Sequence, residues 1–68
     1  MKGTLWWIAD SELEAEEWKS QFEGAGAHVE IHPHGPDDEQ HDVLITLERE
    51  DAKRILGYVP NEEEWLEE

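Results

Sequence analysis

His28, Glu30 and His32 stand two residues apart, with His34 and His41 close behind them in the chain. On an extended strand that spacing puts both imidazoles and the carboxylate on one face. Imidazole and carboxylate are ligands for zinc or nickel. Nothing in the spacing enforces a ligand geometry, however, so the simpler reading is a polar strand face beside a polar loop, with no metal and no cofactor. Protonating the four histidines would remove part of the negative charge of the chain, which makes a pH response a second reading. Nucleophilic catalysis has weaker support still. Ser11 stands where a helix begins and reads as its cap, while Ser20 belongs to an exposed helix face. No Gly-rich phosphate loop is present, and 68 residues leave little room for a concave pocket. A protein that is not an enzyme is expected.

The carboxylates are a different matter, because their number is itself the signal. Nineteen residues are Asp or Glu and five are Lys or Arg, for a formal charge of −14. Self-repulsion on that scale destabilises a compact state, so the charge is either a solubility device or a working surface. Nucleic acid and anionic membranes are excluded as partners for such a surface, and a basic groove built to hold DNA or RNA is favoured. A compact chain of this length has a radius of gyration of about 11 Å and a diameter of roughly 28 Å. Duplex DNA of that length carries on the order of 16 phosphates, so the charge density is sufficient for mimicry. Residues 1 to 36 hold seven acids and two bases, while residues 37 to 68 hold twelve acids and three bases. The second half is therefore the expected electrostatic face.

One small domain, residues 1–68, must position these groups. There is no cysteine, hence no disulfide or thiolate metal site. No signal-peptide pattern follows Met1 and no apolar run approaches a membrane span, so a cytoplasmic protein is expected. Gly3 to Ala9 reads as a first strand, apolar on both alternating faces. Ser11 and Glu14 form an S-x-x-E capping box for a helix whose buried stripe is Ala15, Trp18 and Phe22, with Leu13 at its edge. Gly24 and Gly26 end it. Ala27, Val29 and Ile31 alternate with His28, Glu30 and His32 as a half-buried second strand. Pro33 to Gln40 reads as a loop and Val43 to Leu47 as a third strand. Glu50 to Leu56 looks like a short helix stopped by Gly57, with acids before bases as the helix dipole favours. Asn61 and Glu64 then cap a short helical tail. The expectation is an α+β domain in β-α-β-β-α order, with a three-stranded antiparallel sheet, the third strand central and helices packed on one face. That amounts to a ferredoxin-like fold lacking its last strand.

Tryptophan adds a constraint. Trp18 belongs to the helix stripe, but Trp6 and Trp7 must point to opposite faces of their strand. Either the C-terminal segment covers the second ring through Trp65 and Leu66, or that ring is exposed as a binding anchor. Coverage is expected, because a small core needs every apolar contact.

The acids gather in clusters: Asp37-Asp38-Glu39 with Asp42, then Glu48 with Glu50-Asp51, then Glu62-Glu63-Glu64. These ten residues are the expected contact face, with Glu12, Glu16 and Glu17 of the first helix as the alternative. With clusters such as Asp37-Asp38-Glu39 and Glu62-Glu63-Glu64, the chain resembles the small acidic phage anti-CRISPR proteins that act as DNA mimics, and most of all inhibitors of the type I-C system. The resemblance spans the whole chain in size, acidity and α/β make-up. It implies a protein that binds a Cascade-type surveillance complex in the bacterial cytoplasm and blocks target DNA, at the site that reads the protospacer-adjacent motif; a monomer is expected. Two other readings stand beside it: an acidic adaptor or neutraliser of a basic protein unconnected with nucleic acid, and a salt-adapted housekeeping domain.

Overall fold

Strand β1 (Lys2–Ala9) puts Gly3, Leu5, Trp7 and Ala9 on one face of a sheet and Lys2, Thr4, Trp6 and Ile8 on the other. The computed structural model describes residues 1–66. Helix α1 (Glu12–Gly24) follows at once, and Ser11 Oγ accepts from the Glu14 N–H at 3.2 Å to cap it. Strand β2 (His28–Gly35) and strand β3 (Asp38–Glu48) complete an antiparallel sheet in the order β1-β3-β2. A 3-10 turn (Arg49–Asp51) leads into the short helix α2 (Ala52–Leu56). Gly57 ends that helix at φ 89°, a left-handed conformation that favours glycine, and its N–H donates to the Lys53 carbonyl at 3.0 Å.

One face of the sheet holds the core. Leu5, Ile45 and Val29 form one row across the three strands, and Trp7, Val43 and Ile31 form the next. Helix α1 lays Ala15 and Phe22 over them, and α2 adds Ala52 and Ile55, all buried. Trp7 joins the two layers. Its ring meets Trp18 and Phe22 edge-on, each at 5.5 Å between centroids. Edge-to-face pairs of this kind contribute about 0.5–1.5 kcal/mol beyond the area they bury. Leu13 takes no part and is 69% exposed, so it does not pack at the helix edge as its apolar character suggests.

The segment 33–40 corrects the loop expected there. Strand β2 runs through Pro33 and His34 to Gly35, β3 starts at Asp38, and Pro36-Asp37 alone turn the chain. Pro33 is tolerated because β2 is an edge strand, where a missing N–H need not cost a ladder bond, and Pro36 pre-sets φ for a tight turn. The register shifts between Pro33 and Gly35.

The end of the described chain is also not a helical tail. Asn61 and Glu64 do form the expected capping box, but it closes a single 3-10 turn (Glu62–Glu64). Trp65 then pairs with Leu5, and the Leu66 N–H donates to the Thr4 carbonyl at 2.8 Å, so the segment runs extended along the outer edge of β1. Its ring does not cover Trp6. Trp65 lies against Gly3 on the core face, where only a glycine leaves room: a Cβ on Gly3 would stand 2.5 Å from Trp65 Cε3.

Candidate partner-binding surface

Both helices lie on the core side, so the other face of the sheet is left open. Three rows cross it: Thr4, Thr46 and His28; Trp6, Leu44 and Glu30; Ile8, Asp42 and His32. Trp6 is 52% exposed and Ile8 47%. The second indole of the Trp6-Trp7 pair is thus an accessible ring on the open face of β1, contrary to the expected coverage by Trp65. The physical reason is parity: Gly3 offers Trp65 a seat only on the side that already holds Leu5 and Trp7.

Charge frames this apolar centre. The Trp6 indole N–H donates to Asp42 Oδ1 at 2.9 Å, and the same oxygen lies 2.8 Å from His34 Nε2. His34 Nδ1 meets Asp38 Oδ2 at 3.2 Å. A ring that donates from both nitrogens is an imidazolium. Accordingly the bond to Asp42 raises the His34 pKa above its ordinary value against the opposing effect of burial, and the Asp38 bond adds to it. Asp42 is lowered in return, by His34 first and Trp6 second. Asp38 is lowered chiefly by the Gln40 N–H, which donates to its Oδ1 at 2.9 Å. Glu30 lies between His28 and His32, at 3.8 and 3.7 Å from their Nε2 atoms. Among the described residues no three His, Asp or Glu converge on a point that could hold a metal ion. No helix among them is long and apolar enough to cross a membrane.

The expected contact acids fall into two groups at opposite ends of β3, about 33 Å apart for a strand of this length. At the hairpin end stand Asp37, Asp38 and Glu39, and Asp42 follows four residues further along β3, about 13 Å inward. A cleft of about 540 Å³ there is lined by Asp38, Glu39 and His41 together with Glu12 of the alternative helix face. Glu16 and Glu17 remain on the outer surface of α1, exposed. At the far end stand Glu48, Glu50, Asp51, Glu62, Glu63 and Glu64. Here the cations of the chain itself intervene. The N-terminal ammonium contacts Glu48 at 2.8 Å and Glu50 at 3.1 Å, which raises its own pKa and lowers that of Glu50. Arg49 pairs with Glu62 at 3.2 Å and Arg54 with Asp51 at 3.5 Å. Glu64 accepts from the Asn61 N–H at 2.6 Å as part of its cap. Exposed pairs of this kind are worth about 0–1 kcal/mol, so an incoming cation can compete with them.

Three participants stand outside the ten acids expected as the contact face: Trp6, weighed only as an alternative anchor, and Glu30 and His34, weighed only as metal ligands. The signal for Trp6 was present, since a strand apolar on both faces needs two covering layers and this chain has helices for only one. No family model matches this chain, and no curated protein or solved structure matches it.

Proposed function

We propose that this chain is a non-enzymatic inhibitor whose acidic surface takes the place of DNA in a basic nucleic-acid-binding groove. In the form its resemblance implies, the groove is the site of a Cascade-type CRISPR surveillance complex that reads the protospacer-adjacent motif, and the inhibitor acts as a monomer in the bacterial cytoplasm. One observation carries the reading. The length of β3 sets its two acidic ends, Asp38 and Glu48, about 33 Å apart, close to the roughly 34 Å of one turn of duplex DNA. Carboxylates so spaced meet Lys and Arg that otherwise meet phosphates on one side of the duplex, and Arg–carboxylate pairs add bidentate geometry. The charge field speeds encounter, and the contacts formed on arrival set residence time. On the same reading, the sheet with β1 and β2 flanking β3 is a ferredoxin-like arrangement without its last strand.

Competition decides the matter. Purified surveillance complex is titrated with the chain in the presence of target duplex. Mutual displacement and a steep loss of affinity with salt are expected. The pairs Asp37→Lys with Glu39→Lys, and Glu62→Lys with Glu63→Lys, should each weaken inhibition while circular dichroism stays unchanged. Simultaneous binding of chain and duplex, or two harmless reversals, would sink the mimicry.

The acidic adaptor is a second reading, favoured by the exposed Trp6 and Ile8 beside half-buried Leu44, which DNA mimicry does not require. An adaptor binds its basic partner undisturbed by duplex DNA.

A further inference from the structure

Arg49 shows how this chain holds a guanidinium. Its guanidinium carbon lies 4.9 Å from the centre of the Trp65 ring, while Nη1 donates to both carboxylate oxygens of Glu62 at 3.2 Å. Arg49 Nε is buried and has no hydrogen-bond partner among the described residues. The indole face beside it supplies the attraction that an acceptor would otherwise give. Indole, guanidinium and carboxylate together make one unit.

The open sheet face carries the other two parts of that unit. The Trp6 ring is accessible, and Asp42 is fastened to its indole N–H through Oδ1, which leaves Oδ2 without a hydrogen bond among the described residues. Glu30 stands in the same row, on the far side of Leu44. Ile8 extends the apolar floor beside the ring. Of the cations of this chain, His34 already holds Asp42 Oδ1, Lys2 shares the open face but stands at its far end opposite Glu48, Lys19 and Lys53 are on α1 and α2, and Arg49 and Arg54 pair with acids beyond the sheet. Among the described residues the Arg49–Trp65 contact is the cation–π pair that forms.

Charge narrows the occupant. A second copy of a chain of net charge −14 would press like charges together around Glu30 and Asp42, and nucleic acid would do the same. A lysine ammonium is a compact, strongly hydrated point charge with no plane to lie on an indole. A guanidinium is planar, more weakly hydrated, and forks to a carboxylate. We infer that the open sheet face is an arginine-docking surface: an arginine side chain presented by a basic protein partner lies on the Trp6 ring and donates to Asp42 Oδ2 or forks to Glu30. The inference rests on the acidic-surface reading above and adds where the contact is made and which side chain makes it.

Hexa-arginine and hexa-lysine peptides serve as probes, titrated into the full chain at fixed ionic strength. The indole N–H signal of Trp6 and the methyl signals of Ile8 and Leu44 are followed by NMR. Hexa-arginine is expected to bind about threefold to fivefold more tightly than hexa-lysine, the margin a partly exposed cation–π contact supplies. It should also give Overhauser contacts from arginine side-chain protons to the Trp6 ring. Trp6→Leu keeps an apolar side chain and should erase the preference, with the Trp7 and Trp18 indole signals reporting an intact core. If that variant does not fold, the Overhauser contacts in the unaltered chain decide. Equal affinities, or shifts confined to the acids of α1 and the hairpin, overturn the arginine site and leave the acidic surface standing. Failure of both peptides to bind overturns both.

Discussion

Trp6 and Asp42 are joined across neighbouring strands by a 2.9 Å hydrogen bond from the indole N–H to Oδ1. His34, 2.8 Å from the same oxygen, ties the exposed ring to the hairpin. The apolar centre of the open face and the acids at its end are therefore one hydrogen-bonded system.

That system sets a pH window. The folded-state pKa of His34 lies above its ordinary 6.5, so the stability it contributes is full below 6.5 and lost as pH rises through the folded value. Asp38 and Asp42 are lowered below 3.8, so their share is present above that value and lost as pH falls through their folded values. The network should be strongest between these limits. Urea titrations of the chain and of His34→Gln should differ more at mildly acidic than at alkaline pH. His34 contacts Asp38 and Asp42 of β3, and Asp42 is also held by Trp6 of β1 and feels the charge of His32 of β2. In Asp42→Asn the His34 titration, followed by NMR, should move down toward 6.5. An unmoved midpoint would show that Asp42 is not what raises it.

Gly3→Ala tests the seat of Trp65. The added Cβ would stand 2.5 and 2.8 Å from two carbons of the ring and 3.0 Å from Arg49 Nε. Trp65 is anchored by the Leu66–Thr4 backbone bond and cannot simply swing aside. Overpacking of this kind costs about 1–3 kcal/mol. A lower urea midpoint with an unchanged slope is the expected result, and a midpoint equal to that of the parent chain would mean that the ring does not sit there.

Salt should stabilise the isolated chain. Lys2, Lys19 and Lys53 form no ion pair among the described residues, and Glu12, Glu16 and Glu17 on α1 are exposed. Raising ionic strength from about 0.01 M to about 1 M shortens the screening length from roughly 30 Å to roughly 3 Å. If relief of repulsion is worth about 1 kcal/mol, the melting midpoint rises by about 4–8 °C. A chain already folded at the lower salt speaks against the salt-adapted housekeeping reading, and one that folds only with added salt speaks for it.

Period and parity made much of this fold legible. Leu5, Val29, Val43 and Ile45 alternate as buried strand residues must, with Trp7 half-buried on the same face, and Ala15, Trp18 and Phe22 recur at helix spacing. Ser11, Asn61 and Gly57 carry local hydrogen-bonding chemistry that acts wherever they stand, so the caps and the stop were readable too. Proline misled, because Pro33 and Pro36 punctuate a sequence whether they break a strand or decorate its edge, and only pairing with β3 distinguishes the two. The acids were readable as a number but not as a place. Asp37 and Glu50 are thirteen residues apart in sequence and near opposite ends of the sheet, which depends on how far β3 extends. The exposure of Trp6 turned on a tertiary fact, the side of β1 on which Trp65 finds room.

The borders of the sheet have a consequence of their own. Along β1 the extended Trp65–Leu66 segment already occupies the ladder at Thr4 and Leu5, and along β2 Pro33 and a register shift interrupt it. A stray strand from a crowded neighbour finds no long, regular row of amides to zip onto, so the chain can present a bare tryptophan to its surroundings without inviting fibril growth.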